Sequence, residues 1–516
     1  MLLVLNAKIK GYDQLQGILI ENEFIKEIAK SEELEAKYKD VEVIDAKGNR
    51  VLPGLNDSHL HLVGYSRLKN NLRLENAKSI SEVIELGKAY IKNNPSKKVI
   101  VGNLYNDNNL VEKRLLTKHD LDKISIDLPI ICYRVCGHIC TINSKAIEVL
   151  NLNLNTKVDG GALDVENGEL TGVIRENALN LLNEITKNYS VKEYKEFILD
   201  GIKDANKLGL TSLQVNDLSG ELDIHKKIYS AYKELAIENK LNARINHQIT
   251  PEVPNELIEV YKFFDFENNY LKFGPLKLFI DGSLGANTAA LYDNYLGDNQ
   301  NGILCLTKSE LTNFINAAKS IKKPVIIHAI GDRGIDLALD HLKTYSTERN
   351  AVVHVQITSK EILEKFKKTK VNAIVQPIFI NTDMFMVYDK VAKSLAETSY
   401  AFKTLFDNTV TSFSSDAPVE SLNPFLGIYH AVTRKDLSEE VTYNISEAVS
   451  VADAIHAYTV NGAYMSYEEK IKGKLEVGYL GDLIIIDKDI YNIENTKIKD
   501  INVLYTITGG RVVYEK

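Results

Sequence analysis

Leu52-Pro53-Gly54-Leu55-Asn56-Asp57-Ser58-His59-Leu60-His61-Leu62 is an apolar run that breaks at Pro53-Gly54 and ends on alternating histidine and leucine. In an extended strand, side chains two apart share a face. His59 and His61 therefore project together, while Leu60 and Leu62 turn the other way. Two imidazoles on one strand face are half of a site for a divalent transition metal. An isolated His-x-His is more often a pair of core or surface histidines, so the pair gains meaning only if other elements supply further ligands.

Working outward, seven more apolar runs of strand length follow, at 209–215, 243–248, 271–280, 324–328, 351–356, 372–376 and 409–414. Most are trailed by helical patterns such as 309–321, 334–343 and 360–368. Strand and helix in alternation indicate an α/β fold with a parallel sheet. One strand plus seven is the count of a (β/α)8 TIM-type barrel. Residues 66–195 break this rhythm between the first two strands, with β candidates at 98–104 and 129–133 and a turn at Asp159-Gly160-Gly161. They read as an inserted α/β subdomain over the barrel mouth, after which helices at 188–208 and 222–240 restore the pattern. Short strands punctuated by glycine recur at both ends, at 2–9, 17–21 and 41–45 and again at 478–487, 503–508 and 511–514. The simplest account is one small β-sandwich domain built from 1–53 and 471–516, with the barrel occupying 54–470.

Composition narrows the function. A chain of 516 residues with 44% hydrophobic and 26% charged residues is long enough for more than one core and ordinary for a soluble protein. The net charge of −8 is spread without long single-sign runs, which argues against a nucleic-acid partner. No apolar segment approaches the roughly 18 residues of a membrane span. The start is too short in apolar residues for a secretion signal. A cytoplasmic protein acting on a small molecule is expected, with homo-oligomerisation left open. Four cysteines in this length make no disulfide scaffold. Cys132, Cys136 and Cys140 recur every fourth residue, match no common zinc signature, and read as buried small hydrophobes.

Catalytic groups of such barrels sit at the C-terminal strand ends. Here those ends carry His59 and His61 (first strand), Lys277 (fourth), His328 (fifth), His354 (sixth) and Asp416 (eighth). Each alone is a polar residue closing an apolar run. Four histidines and an aspartate at matching ends of one barrel point to a metal centre.

These residues stand in recognisable motifs: Pro53-Gly54 with Asp57-Ser58-His59-Leu60-His61, Lys277 with Asp281-Gly282-Ser283-Leu284-Gly285, His328-Ala329-Ile330-Gly331-Asp332-Arg333, Val353-His354-Val355-Gln356, and Ser415-Asp416-Ala417-Pro418. With them the chain resembles the amidohydrolase superfamily and, within it, hydrolases similar to N-substituted formamide deformylase (amidohydrolase family 3). The closing segment around Gly473–Gly478 and Asp482–Asp487 and the insertion motifs around Arg134, His138, Asn143 and Glu176 are similar too, so the resemblance covers nearly the whole chain.

The resemblance implies a centre of one or two divalent ions, most simply zinc. His59, His61 and Asp416 would hold the more buried ion, and His328 and His354 the more exposed one. Lys277 would bridge them as a carboxylated lysine. An ammonium has no lone pair to offer, whereas a carbamate formed with carbon dioxide has two oxygens. Burial in an apolar strand favours the neutral amine that carboxylation needs. The alternative is a lysine snorkelling to solvent or paired with Asp281. The implied reaction is hydrolysis of a carbon–nitrogen bond, of non-peptide amide or N-formyl type, through a metal-activated hydroxide with Asp416 as general base and then acid. Arg134, His138 and Glu176 of the insertion, with Asp281 and Ser283, are the candidate substrate contacts, each set against a structural role. A mononuclear deaminase of the same superfamily has no need of a bridging lysine, and Lys277 argues against it. A non-catalytic barrel scaffold would not keep all six ligand positions filled. Among the remaining histidines, only His247 ends a strand.

Overall fold

The runs that read as strands form one eight-stranded parallel sheet in the computed structural model, which describes every residue except 96, 136–137, 187–188 and 346–347. The strands are β1 (Leu55–Leu60), β2 (Leu210–Ser219), β3 (Arg244–Thr250), β4 (Leu271–Phe279), β5 (Val325–Ala329), β6 (Ala351–His354), β7 (Asn372–Val375) and β8 (Thr411–Phe413). Each pairs with the next in chain order. Every residue of β1, β6, β7 and β8 is buried; in β6 and β7 this reads as an almost unbroken apolar run, whereas β1 and β8 bury polar residues. Helices follow the strands, among them Leu222–Ile237, Lys308–Ser320, Asp332–Leu342 and Lys360–Thr369. The second of these starts at a capping box in which Thr307 and Glu310 satisfy each other's backbone N–H groups.

The sheet curls until its edges meet at the C-terminal end. Asp416 N donates to His59 O at 2.9 Å and His61 N to Ala417 O at 2.8 Å. The seam of this nearly closed barrel therefore runs through residues that the sequence marks as ligands. Two expected strands stop earlier than the apolar pattern suggests. β1 ends at Leu60, so His61 stands just outside it. The sixth run ends at His354, where φ is +81° and the next residue has φ +51°. Left-handed backbone cannot continue a strand.

Both chain ends build a β-sandwich. One four-stranded sheet has the order Phe24–Lys30, Gln16–Glu21, Leu2–Ala7, Glu42–Asp45, and the other Arg511–Glu515, Val503–Thr508, Leu483–Ile486, Arg50–Pro53. Val4, Ile18, Ile20, Val51, Leu483, Ile485 and Ile507 share one core between them. The sandwich is fixed to the foot of β3 by a buried ion pair: Asp482 accepts from Arg244 Nε at 2.6 Å and Nη2 at 2.9 Å, and also from Gly509 N at 2.7 Å.

The chain divides into two compact units, Met1–Tyr65 with Tyr194–Lys516, and Ser66–Glu193. The second has its own six-stranded sheet, of which the sequence pattern showed only Ile100–Tyr105 and Ile130–Arg134. Leu72–Arg73, Ile139–Ile142, Gly161–Glu166 and Glu169–Glu176 complete it. Cys132 and Cys140 are buried on neighbouring strands of this sheet, and Cys136 lies outside the described residues. Among the described residues no helix is long and apolar enough to cross a membrane.

Gly331, the N-cap of helix Asp332–Leu342, shows how tightly the strand-end loops pack. A Cβ there would lie 2.1 Å from Ala290 O and 2.5 Å from its carbonyl carbon, and backbone atoms cannot step aside as a side chain can. Gly331→Ala is expected to cost about 1–3 kcal/mol, visible as a lowered melting temperature. An unchanged melting temperature would show the loop to be slack.

Candidate metal centre

The seam places three ligand-type groups together. His59 Nε2 and His61 Nε2 each lie 3.4 Å from Asp416 Oδ1, and one donor atom from each residue falls within 4.8 Å of the others. Ligands about 2.0–2.1 Å from a tetrahedral zinc are about 3.4 Å apart. His59 Nε2 and Asp416 Oδ1 are both buried and, among the described residues, have no hydrogen-bond partner. Two orphaned atoms that both offer lone pairs, facing one space, are what a cation's ligands look like without the cation. The donor set, two imidazoles and a carboxylate, suits a divalent transition metal.

Asp57 builds the seam from beneath. Its buried carboxylate accepts from His59 N at 3.2 Å and from Ser415 N at 3.1 and 3.2 Å, tying β1 to the residue before Asp416. Burial pushes this carboxyl up to about 7 despite those donors. Asp416 itself sits at φ +57°. Left-handed backbone at a residue with a side chain is strained, and it persists here because both neighbours are tethered.

The second pair lies beside the first. The ring centroids of His328 and His354 are 4.4 Å apart, and His354 is 5.9 Å from His59. Lys277 is fully buried, its Nζ 3.6 Å from the centroid of the Phe279 ring. It neither snorkels to solvent nor pairs with Asp281. Burial lowers its pKa to about 7, with Asp416 opposing. Burial holds His59 and His354 well below the usual histidine value and His328 at about 3, and the charge of Lys277 adds to each. His61 is also pulled down by burial, but Asp416 beside it outweighs that and leaves it raised. The four imidazoles thus surround a buried amine poised near neutrality.

Asp281, one of the expected substrate contacts, also has a structural task. Its oxygens accept from Ala290 N at 2.9 Å, Ile330 N at 3.0 Å and Gly331 N at 2.8 Å, which pins the loop after β4 to the end of β5. Three backbone donors thus hold this buried carboxylate in place. Ser283 remains in that loop, with its N–H on Thr288 Oγ1. Arg134, His138 and Glu176 belong to the second unit. Arg134 Nε pairs with Asp107 at 2.6 Å, and His138 Nδ1 with Glu176 Oε2 at 3.0 Å on an exposed edge.

His247 on β3, to which the sequence assigns no function, does not face the site, but its neighbour does. Strand residues alternate, so Gln248 turns inward and lies 2.5 Å from His59 Nδ1. His247 turns outward, stacked on Phe273 and edge-on to Tyr232. Gln376, at the end of β7, lies 2.8 Å from His354 Nδ1 in the same manner. Both glutamines close apolar runs, the same signal that exposed His328 and His354, and were passed over because glutamine is not a ligand type.

His247 carries a pH consequence. Burial lowers its pKa to about 3, against 6.5 when free, so the folded state keeps the ring neutral. Below about pH 6.5 the unfolded chain takes up a proton that the folded one refuses, and stability falls until the pH reaches the folded value. At about pH 5 this amounts to about 2 kcal/mol. His247→Phe is expected to shrink the loss of unfolding free energy between about pH 7 and about pH 5 by that amount. A loss of wild-type size in the variant would mean that His247 titrates normally in the fold.

Comparison with known proteins agrees with this architecture. The sequence model of the amidohydrolase family matches residues 42–514. YtcJ of Bacillus subtilis (strain 168) is 30% identical over 517 residues, covering 98% of this chain and 97% of that protein. The N-substituted formamide deformylase of Arthrobacter pascens is 22% identical, covering 100% and 98%. The crystal structure of an uncharacterized metal-dependent hydrolase from Pyrococcus furiosus superposes with a TM-score of 0.82 at 31% identity, covering 95% of this chain and 100% of that one. With strand-end histidines on a nearly closed barrel and a family match over most of its length, the protein belongs to the amidohydrolase family of hydrolases.

Proposed function

We propose that the protein hydrolyses a carbon–nitrogen bond of non-peptide amide or N-formyl type at a centre held by His59, His61, Lys277, His328, His354 and Asp416. The observation that carries this is the convergence of His59, His61 and Asp416 with two buried, unpartnered donor atoms facing each other. The likeness along the whole chain to an N-substituted formamide deformylase supports the bond type. The domain division expected from the sequence, the zinc preference and the cytoplasmic setting belong to the same proposal.

When bound, a divalent ion supplies a Lewis acid that polarises a carbonyl and acidifies a water. The residues do the rest. Asp416 accepts the water's proton as its oxygen attacks the carbonyl carbon, and returns that proton to the departing nitrogen as the carbon–nitrogen bond breaks. His59, His61 and His354 present Nε2 lone pairs, because their Nδ1 atoms face Gln248 Oε1, Asn216 O and Gln376 Oε1. His328 presents Nδ1, since its Nε2 donates to Gly282 O at 3.0 Å. Lys277, neutral for much of the time near pH 7, adds through Nζ to carbon dioxide and loses a proton, giving a carbamate as an additional anionic ligand.

Metal analysis combined with a panel of amides and N-formyl compounds tests the proposal. Chelation is expected to abolish turnover, and a divalent ion to restore it. Intact mass of protein grown with bicarbonate is expected to show an added carboxyl that Lys277→Ala lacks. Failure of metal-loaded protein to cleave any amide or N-formyl compound would sink the bond assignment.

A further inference from the structure

The geometry points to Gln248 and Gln376 as positioning residues that lock His59 and His354 in the Nδ1–H form and so aim both Nε2 lone pairs into the centre. The inference rests on the metal-centre reading above. Both glutamines are buried and come from strands other than those of the histidines they touch: Gln248 on β3 reaches His59 of β1, and Gln376 beyond β7 reaches His354 of β6.

An amide can face a ring nitrogen with either its oxygen or its NH2, so the other end of each glutamine decides. Gln248 Nε2 lies 2.9 Å from Ser58 O. A backbone carbonyl only accepts, so the NH2 must point there and Oε1 must face His59. Gln376 Nε2 is directed at Ser414 Oγ, 2.8 Å away, and at Ile374 O, 3.5 Å away, which again leaves Oε1 for the histidine. An amide oxygen accepts and cannot donate, so each Nδ1 carries the hydrogen and each Nε2 is left with its lone pair. For His59 that Nε2 is the buried, unpartnered atom 3.4 Å from Asp416 Oδ1.

The choice of glutamine matters chemically. A carboxylate in these places would favour imidazolium, which has no lone pair to offer. The neutral amide orients the ring without charging it, in a space that already holds Lys277 and Asp416. Partners of this kind on metal-binding histidines are typically worth about 10–100-fold in metal affinity.

The test uses the full chain with Gln248→Met and Gln376→Met, which keep length and bulk but remove the acceptor. Zinc affinity, read by competition with a chromophoric chelator, is expected to fall about 10–100-fold in each, with metal-free protein still folded but with a somewhat lowered melting temperature from the buried groups left without partners. Nitrogen NMR of metal-free wild type labelled with 15N-histidine needs no glutamine variant. It is expected to show Nδ1–H rings for His59 and His354, assigned by their loss in His59→Gln and His354→Gln. Nε2–H rings at these positions, or unchanged zinc affinity in both methionine variants, would overturn the inference. Wild type that binds no divalent ion would defeat the proposed function instead, and the ring tautomers would still decide the positioning role.

Discussion

Asp416→Asn is expected to lower kcat by about 10²–10⁴-fold. Asparagine keeps the size of the side chain and the backbone tethers of the seam, but it cannot take a proton from water. Its NH2 can also turn toward the two Nε2 atoms that stand 3.4 Å from Oδ1, where the carboxylate offers only an acceptor. Weaker metal retention should accompany the loss, so metal content must be measured on the sample used for kinetics. A metal-loaded variant with wild-type kcat would remove Asp416 from the chemistry.

Arg244→Ala is expected to destabilise the protein by about 3–5 kcal/mol. Arg244 and Asp482 are 3% and 4% exposed, and the alanine variant would leave the carboxylate buried without its guanidinium. Tyr270, whose ring lies 4.5 Å from the guanidinium carbon, would keep only Arg511, 4.8 Å from the ring, as a stacking cation. The double change Arg244→Met with Asp482→Leu is expected to recover much of the loss, because it leaves no uncompensated charge. Chemical denaturation of both variants beside the wild type decides the matter. A cost below about 1 kcal/mol for Arg244→Ala would mean that the pair behaves as a surface ion pair.

The barrel was legible because a parallel sheet covered on both faces writes itself as short unbroken apolar runs, and the polar residue ending each run marks the catalytic rim. His328 and His354 follow from that, and His59 from its alternation with His61. What the pattern hid was contact between distant segments. Asp57 reads as an ordinary polar residue until Ser415, 358 positions later, donates to it. That Asp281 clamps the loop after β4 is equally hidden, because its partners stand at 290, 330 and 331. His247 and Gln248 are one position apart, and in a strand one residue is the difference between the packing layer of a barrel and its inside. Phe24–Lys30 was missed because half-exposed residues, with charges at Lys26, Glu27 and Lys30, dilute its apolar pattern.

Titration of metal-free protein with zinc, alongside His59→Ala, His61→Ala and Asp416→Ala, tests the central claim most directly. The account predicts that wild type takes up one or two ions per chain and hydrolyses only when loaded, and that each variant loses an ion and the activity with it. Hydrolysis by metal-free wild type, or variants that bind zinc as tightly and in the same number as wild type, would contradict it.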